Sequence, residues 1–302
     1  MQRRITTTFF TLSLLLGLTL WHVAPNVKAK ASALPFITLT VTNTNDSGAG
    51  SLRQVVADAT SGDTINFNLS GCPCTITLTS GEIAINKNLT ITGPGTDQLT
   101  ISGNNASRIF FVNPGAPGGT TGPPATNPIL NLSNLTLANG RAKGGDGGRG
   151  GGNGGGAAGM GGAMFVNGGK VIINQVSFSG NQAIGGNGGS GNFSGGTGGG
   201  GGGIGGNGLS GGTGAGGNGG DGGFGGGGGS GGFGGTGGAG LSTFDDDGGG
   251  GGGSGLGGAI FVRAGAVALS NSSFTSNSAT KGLSGSGKNT GSPIRSRIIP
   301  AR

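Results

Sequence analysis

Side chains able to move protons are scarce in this chain. Its 302 residues include one histidine, His22, no tyrosine, ten acidic and 17 basic residues, and Glu82 is the only glutamate. General acid–base catalysis needs a group whose pKa lies near the working pH, held beside a reacting atom. Here that work would fall to scattered aspartates and lysines, which is poor equipment for a hydrolase. Cys72 and Cys74 are the only thiols and form a Cys-Pro-Cys. A bridge across one residue is strained and easily reduced. The pair therefore reads as two half-buried thiols or a local loop clip, with a redox role or an intermolecular bridge as the alternative. Two thiolates without a histidine do not make a metal site.

Asp245, Asp246 and Asp247 are the best calcium candidates, because a hard cation wants clustered carboxylates. Their surroundings, like those of Asp146 and Asp221, do not follow the G-G-x-G-x-D-x-U-x nonapeptide over successive repeats. No GxxxxGK[ST] phosphate loop follows a strand. We therefore expect no metal, no cofactor and no catalytic residues.

The start of the chain has the build of a secretory signal: basic Arg3 and Arg4, an apolar run from Phe9 to Trp21, and Ala29-Lys30-Ala31 as an A-x-A site. The apolar run is shorter than the ~20 residues a membrane span needs. Removal of residues 1–31 takes away His22, the only tryptophan and four basic residues. The remainder has 17 − 4 = 13 basic residues against ten acidic ones, net +3 in place of +7. Those charges are scattered, with no basic face interleaved with aromatics, so no nucleic-acid partner is expected. The expected location is extracellular or at the cell outer-membrane surface, with no integral membrane segment after signal cleavage.

Glycine supplies 81 residues and charged side chains only 9%, which fits neither an ordinary globular domain nor a charged disordered chain. A repeat accounts for part of it. Segments 161–186 and 257–282 align without gaps and match at 12 of 26 positions, among them Gly161, Gly162, Ala163, Phe165, Phe178 and Asn181 against Gly257, Gly258, Ala259, Phe261, Phe274 and Asn277. A weaker copy, LNLSNLTLANGRA, sets Leu137 against Phe178 and Ala142 against Ala183. Phe178 lies 41 residues after Leu137, and Phe274 lies 96 after Phe178. Without the glycine-rich blocks 144–160 and 185–256, of 17 and 72 residues, both spacings fall to 24.

Each unit holds short runs with strand alternation, 163–166, 170–173 and 175–178, separated by Gly and Asn. Three short strands in ~24 residues closed by tight turns describe one coil of a parallel β-helix, an all-β solenoid. Stacked coils would set Phe165 on Phe261 and Phe178 on Phe274 as ladders inside the solenoid. Asn181 and Asn277 would stack at a turn, where Asn tolerates left-handed backbone and bridges neighbouring coils; ligand binding by these two asparagines is the alternative. TITLT, EIAIN, LTITG, LTISG and RIFFV supply the earlier coils. Upstream, SLRQVVADATSG predicts a short helix: Ser51 as N-cap, Gln54 completing a capping box, Val55, Val56 and Ala59 on one side, Gly62 as the stop. Its expected task is to plug one open end of the solenoid.

The run NDSGAGSLRQVVADATSGDTINF followed by TITLTSGEIAINKNLTITGPG resembles the N-terminal part of exported bacterial right-handed parallel β-helix proteins. GGAMF with FSGN, and GGAIF with FTSN, resemble the GGA[ILV] and FxxN repeats of the polymorphic outer-membrane proteins of chlamydiae. Together the resemblances span about 41–279. They imply a right-handed coil and a secreted or cell-surface protein with an adhesin-like role. Beyond Ala279 no alternating strands of a transmembrane barrel follow.

The expected organisation is a signal peptide (1–31), cap and first coils (32–143), a glycine-rich insertion (144–160), a coil (161–184), a glycine-rich low-complexity insertion (185–256), a coil (257–282) and a basic disordered tail (283–302). For the glycine blocks we expect a loop projecting from one face, because ordering glycine costs much entropy. Triplets in register from Gly216 offer a packed bundle of three-residue-per-turn glycine helices as the alternative. The functional expectation is a non-enzymatic surface protein that meets an unidentified surface or matrix ligand and self-associates through an open solenoid end. The rivals are a polysaccharide lyase or hydrolase, which would need convergent carboxylates and aromatic sugar platforms, and a truncated fragment of a larger surface protein.

Overall fold

Threonine alternating with leucine, isoleucine or valine sets the local structure of the N-terminal part. Branched side chains suit a pleated, half-buried surface. In Leu89–Thr92 the leucine and isoleucine are buried and the threonines are only partly so. A computed structural model describes residues 36–112, 127–148, 154–190 and 251–285. The expected signal peptide, Asp221, Asp245 to Asp247, and nearly all of the 185–256 insertion and the 283–302 tail lie outside the described residues. The described residues are mostly strands with one α-helix, Leu52–Asp58, an all-β chain whose strand pairings are all parallel and whose sheets do not close.

Parallel partners need a long connection between them, and here the connection lengths recur. Thr64 pairs with Thr90, Cys74 with Leu99 and Ile83 with Phe110, intervals of 26, 25 and 27 residues. Farther on the intervals lengthen while the register is kept. Leu130, Val171 and Val267 align, as do Leu137, Phe178 and Phe274, and Ala142, Ala183 and Ala279. The steps in these columns are 41 and then 96 residues, the same separations that the side-chain bonds between repeats span. The 41- and 96-residue segments thus return each strand to the same place.

Like stacks on like in the buried columns. Ile83, Phe110, Met164 and Ile260 form one, Ile85, Val112, Val166 and Val262 another, and Ile91, Leu132 and Ile173 lead to Leu269. The central cluster takes all of these except Val262 and Leu269, with Ile260 packed at its margin. Burying each such side chain contributes about 1.5–3 kcal/mol. Phe165 departs from the expected arrangement. It lies between Met164 and Val166 on a strand, so alternation turns it away from the cluster that holds them. It is nonetheless buried, in a second stack with Phe111 (4.9 Å) and Phe261 (5.6 Å). The Phe178–Phe274 stack, at 4.7 Å and with nearly parallel rings, starts from Phe178 within the cluster.

The helix packs Leu52, Val55 and Val56 into the same cluster. Ser51 Oγ accepts from Gln54 N (3.2 Å), but the Gln54 side chain donates to Asp58 (2.7 Å) and Ser51 N bonds Gly48 O, so only half of the capping box forms. The helix ends at Asp58, ahead of Gly62, whose positive φ serves the next turn. Lys87 Nζ donates to the carbonyls of Val56, Ala57 and Ala59, placing a cation at the helix C-terminus.

The described glycine segments, 144–148, 154–160, 185–190, 251–256 and 281–285, are packed together and do not form a projecting loop. Their N–H donors recur at every third residue: Gly144 and Gly147 to Ile184 and Asn187, Gly186 and Gly189 to Ala157 and Gly154, Gly185 and Gly188 to Thr280 and Leu283. Three residues per turn is the polyproline II period. Segment 185–190 bonds to four neighbouring segments, where a strand in a sheet has two. Such crowding leaves no room for side chains. A Cβ on Gly186 would stand 1.9 Å from Gly145 O, whereas one on Gly251 would meet nothing within 4 Å.

Two substitutions separate packing from composition. Gly186→Ala, which forces backbone apart, should destabilise the protein by at least about 1–3 kcal/mol. Gly251→Ala should be neutral or stabilising by up to about 1 kcal/mol through the unfolded chain, both read from urea midpoints. Phe178→Ala should cost about 3–5 kcal/mol in the same measurement.

Candidate functional site

The residues that sequence singled out converge on the turns between strands. Gly161 and Gly257 open equivalent turns with φ of 65° and 60°. A side chain on Gly162 would run into the Gly258 carbonyl, 2.3 Å from a Cβ, and Ala163 behind it is fully buried. The GGA signature therefore marks a place where one repeat presses its backbone against the next. Gly258 and Ala259 take the same place one repeat later: Gly162 N and Ala163 N donate to their carbonyls at 2.9 and 2.8 Å.

Asn181 is fully buried and uses every polar atom of its side chain. Its Oδ1 accepts from Gly140 N (2.8 Å), and its Nδ2 donates to Leu137 O (3.0 Å) and Asn277 Oδ1 (2.8 Å). Asn277 repeats the motif one step on, accepting from Asn181 N and donating from Nδ2 to Phe178 O. The asparagines bridge neighbouring repeats, but they do not take the left-handed conformation expected of them. That falls to the residue before each, Gly180 (φ 64°) and Ser276 (φ 55°), in the column of Asn139 (φ 53°). The side chain of Asn181 thus spends its bonds on two backbone groups and on Asn277, a bridging role between repeats.

The acids are similarly engaged. Asp46 accepts from Arg53 (2.8 Å), Thr79 and Ser80. Partial burial pushes its carboxyl up, but hydrogen bonds from Ser80 and Arg53, with the Arg53 charge, outweigh that and hold it well below the usual carboxylate range. Asp63 is held below that range chiefly by the Ile37 and Thr60 N–H groups, at 3.0 and 2.7 Å. Burial raises Asp146, while Asn187 N (2.7 Å) and Lys143 lower it further. Asp58 and Asp97 accept from Gln54 and Gln98.

One cluster has no counterpart in the sequence reading. Arg108 pairs with Glu82, donates to the Met160 and Gly161 carbonyls, and lies 5.5 and 5.2 Å from the Phe111 and Phe165 rings. RIFFV and EIAIN read as strands, and the signal for the cluster is that each run begins with a charge of opposite sign, Arg108 and Glu82. The 27-residue register of Ile83 on Phe110 brings Glu82 and Arg108 together. Cys72 and Cys74 are joined to each other. Among the described residues no three His, Cys, Asp or Glu side chains are grouped to hold a metal ion, and no helix is long and apolar enough to cross a membrane.

No protein family matches the sequence, and neither a curated protein nor a solved structure matches it. The arrangement of charge and hydrogen bonds therefore has to be judged on its own. It ties turn to turn and repeat to repeat.

Asn181→Ala would strand the Gly140 N–H and the Leu137 carbonyl in a buried site and should cost at least about 1–3 kcal/mol by urea denaturation. Asp46, Asp63 and Asp146 titrate lower in the folded chain than in the unfolded one, so folding favours their ionised forms. That stability is complete above the unfolded aspartate pKa of about 3.9 and is lost as pH falls through the depressed folded values. Thermal unfolding should accordingly hold steady from neutral pH to about 4 and drop below it, and Asp63→Asn should lower the neutral-pH midpoint while flattening the acid limb.

Proposed function

We propose that the chain is an exported right-handed parallel β-helix that acts without catalysis, as a surface or secreted scaffold with an adhesin-like or matrix-binding role. The observation that carries this reading is the in-register parallel return of every strand at recurring intervals. A chain that comes back to the same place, displaced by one strand, traces a coil. Right-handedness follows from the handedness of parallel crossovers. The helix Leu52–Asp58, buried against the first strands, suits a cap.

The scarcity of usable chemistry supports the non-catalytic part. The six acids among the described residues all accept hydrogen bonds from nearby groups, and the motif asparagines hold backbone. An extended solenoid with a glycine-rich insertion offers surface in place of a cleft. Surface exposure and export draw support from the basic, apolar and A-x-A elements of 1–31 and from the GGA[ILV] and FxxN resemblance.

Surface plasmon resonance against immobilised collagen, a glycosaminoglycan and intact cell surfaces should find a saturable ligand, and deletion of 191–250 should weaken that binding. Retention of full binding by the deletion would remove the insertion from the role. Turnover of an acidic or neutral glycan would replace the scaffold reading with the lyase or hydrolase one.

A further inference from the structure

The two ends of the strand stack are finished differently. At the first end the inward residues of the edge strands are covered: Val41, Ile76, Leu78, Ile83 and Ile85 are all at most 2% exposed, and the helix supplies Leu52, Val55 and Val56 beside them. At the other end the same columns run out bare. Val166, Ile173 and Phe178 are fully buried, while their partners one repeat later, Val262, Leu269 and Phe274, are 40%, 49% and 50% exposed. Leu256 and Leu283 flank them, also exposed.

The backbone of that end is open as well. Among the described residues, Ile260–Val262, Ala266–Ser270, Ser273–Thr275 and Ser278–Thr280 each pair on one side only. Proteins that keep such an edge in solvent blunt it with lysine, proline or a bulge. None of these four strands contains a charged residue or a proline. Arg263 and Lys281 flank the strands, and between them the strand edges carry neutral side chains over an apolar floor, a surface built to be covered.

We propose that a second copy of this chain covers it, in a closed two-fold dimer joined through the last repeat. The repeat from Gly257 to Thr280 contributes 24 residues, within the roughly 20–30 residues per side that a stable interface uses. At the opposite end Thr38–Val41, Cys74–Thr77 and Ile83–Ile85 also pair on one side only among the described residues, and Phe36 and Ile37 are exposed, but the inward columns there are covered. Each chain therefore has one end whose inward columns are bare, and pairing those ends satisfies both copies at once. A two-fold axis makes the contact isologous and leaves no bare end for a third copy. If each repeat is one coil, turning a coil over about an axis in its own plane reverses its sense of circulation. The facing strands then run antiparallel, a pairing that open edges accept. Phe274, Leu269 and Val262 of both copies would form the apolar centre, with Ser270, Ser273 and Thr275 around them.

This inference rests on the strand edges and on no ligand, so it stands or falls apart from the adhesive reading. The test is light scattering coupled to size exclusion on the purified chain across a dilution series, with circular dichroism as a check on folding. The expected result is twice the chain mass. Phe274→Lys and Leu269→Lys, made separately because Phe274 also stacks on Phe178, should each give the monomer mass with an unchanged β spectrum. Ile37→Lys, at the far end, should leave the dimer intact. Amide hydrogen exchange over 260–280 should be slow in the wild type and faster in the two dissociated variants. A wild-type monomer, whether its edge is left bare or is protected by residues 286–302, would overturn the proposal. So would a dimer that survives both substitutions, or growth of mass without limit as concentration rises.

Discussion

Parallel pairing in register between a strand and its counterpart one repeat on is the constraint from which the rest follows. It sets every residue above its own equivalent, so each position has to be able to stack on itself. Phenylalanine does this well, as Phe178 does on Phe274 at 4.7 Å. Asparagine does it through the amide, whose donor meets the acceptor of the next copy. Like charges directly opposite one another repel, and no strand register among the described residues pairs two charged side chains. Lys170, Arg141 and Lys143 each face an uncharged residue. Within the described strands, then, the scarcity of charge agrees with the stacking rule.

Glycine answers a related demand. Where the chain leaves the sheets between repeats, its segments pack with neighbours on several sides, and the close approach of Gly186 to Gly145 or of Gly253 to Ala157 excludes even a methyl group. The entropy lost by ordering glycine is offset in the described segments by backbone hydrogen bonds made every third residue. Side chains then appear at the positions that face outward. Asp146, Asn187 and Leu283 occupy one such column, and the Asp146 and Asn187 side chains each accept from the next backbone N–H.

How much of this could be read beforehand depended on whether the deciding neighbour was the next repeat or some other part of the chain. Aligning 161–186 with 257–282 sets Phe178 on Phe274, and the weaker copy at 130–142 adds Leu137 to the column, because self-similarity encodes self-contact. Strand alternation and the Ser51 N-cap were equally local. Phe165 is harder to place, because alternation along 164–166 sends Met164 and Val166 to the cluster and leaves the aromatic ring to a separate stack with Phe111 and Phe261. Gln54 was drawn away by Asp58, four residues along its own helix. The Arg108 cluster depends on a register between two N-terminal strands of unlike sequence, and the packing of the glycine segments depends on partners with no side chains to betray them.

In a stack of this kind, stability is a sum of repeat terms and neighbour terms, and a repeat with one neighbour lacks half of the second. At the first end the helix packs Leu52, Val55 and Val56 into the cluster, and Lys87 donates to carbonyls at its C-terminus. At the other end the columns stop at Leu269 and Phe274 with about half of each side chain in solvent. An interior column is repetitive and chemically quiet, so whatever distinguishes this protein in its surroundings has to reside where the repetition breaks. The described structure breaks in three such places: the helix beside the first strands, the glycine segments leading into the long insertion, and the exposed apolar edge of the last repeat.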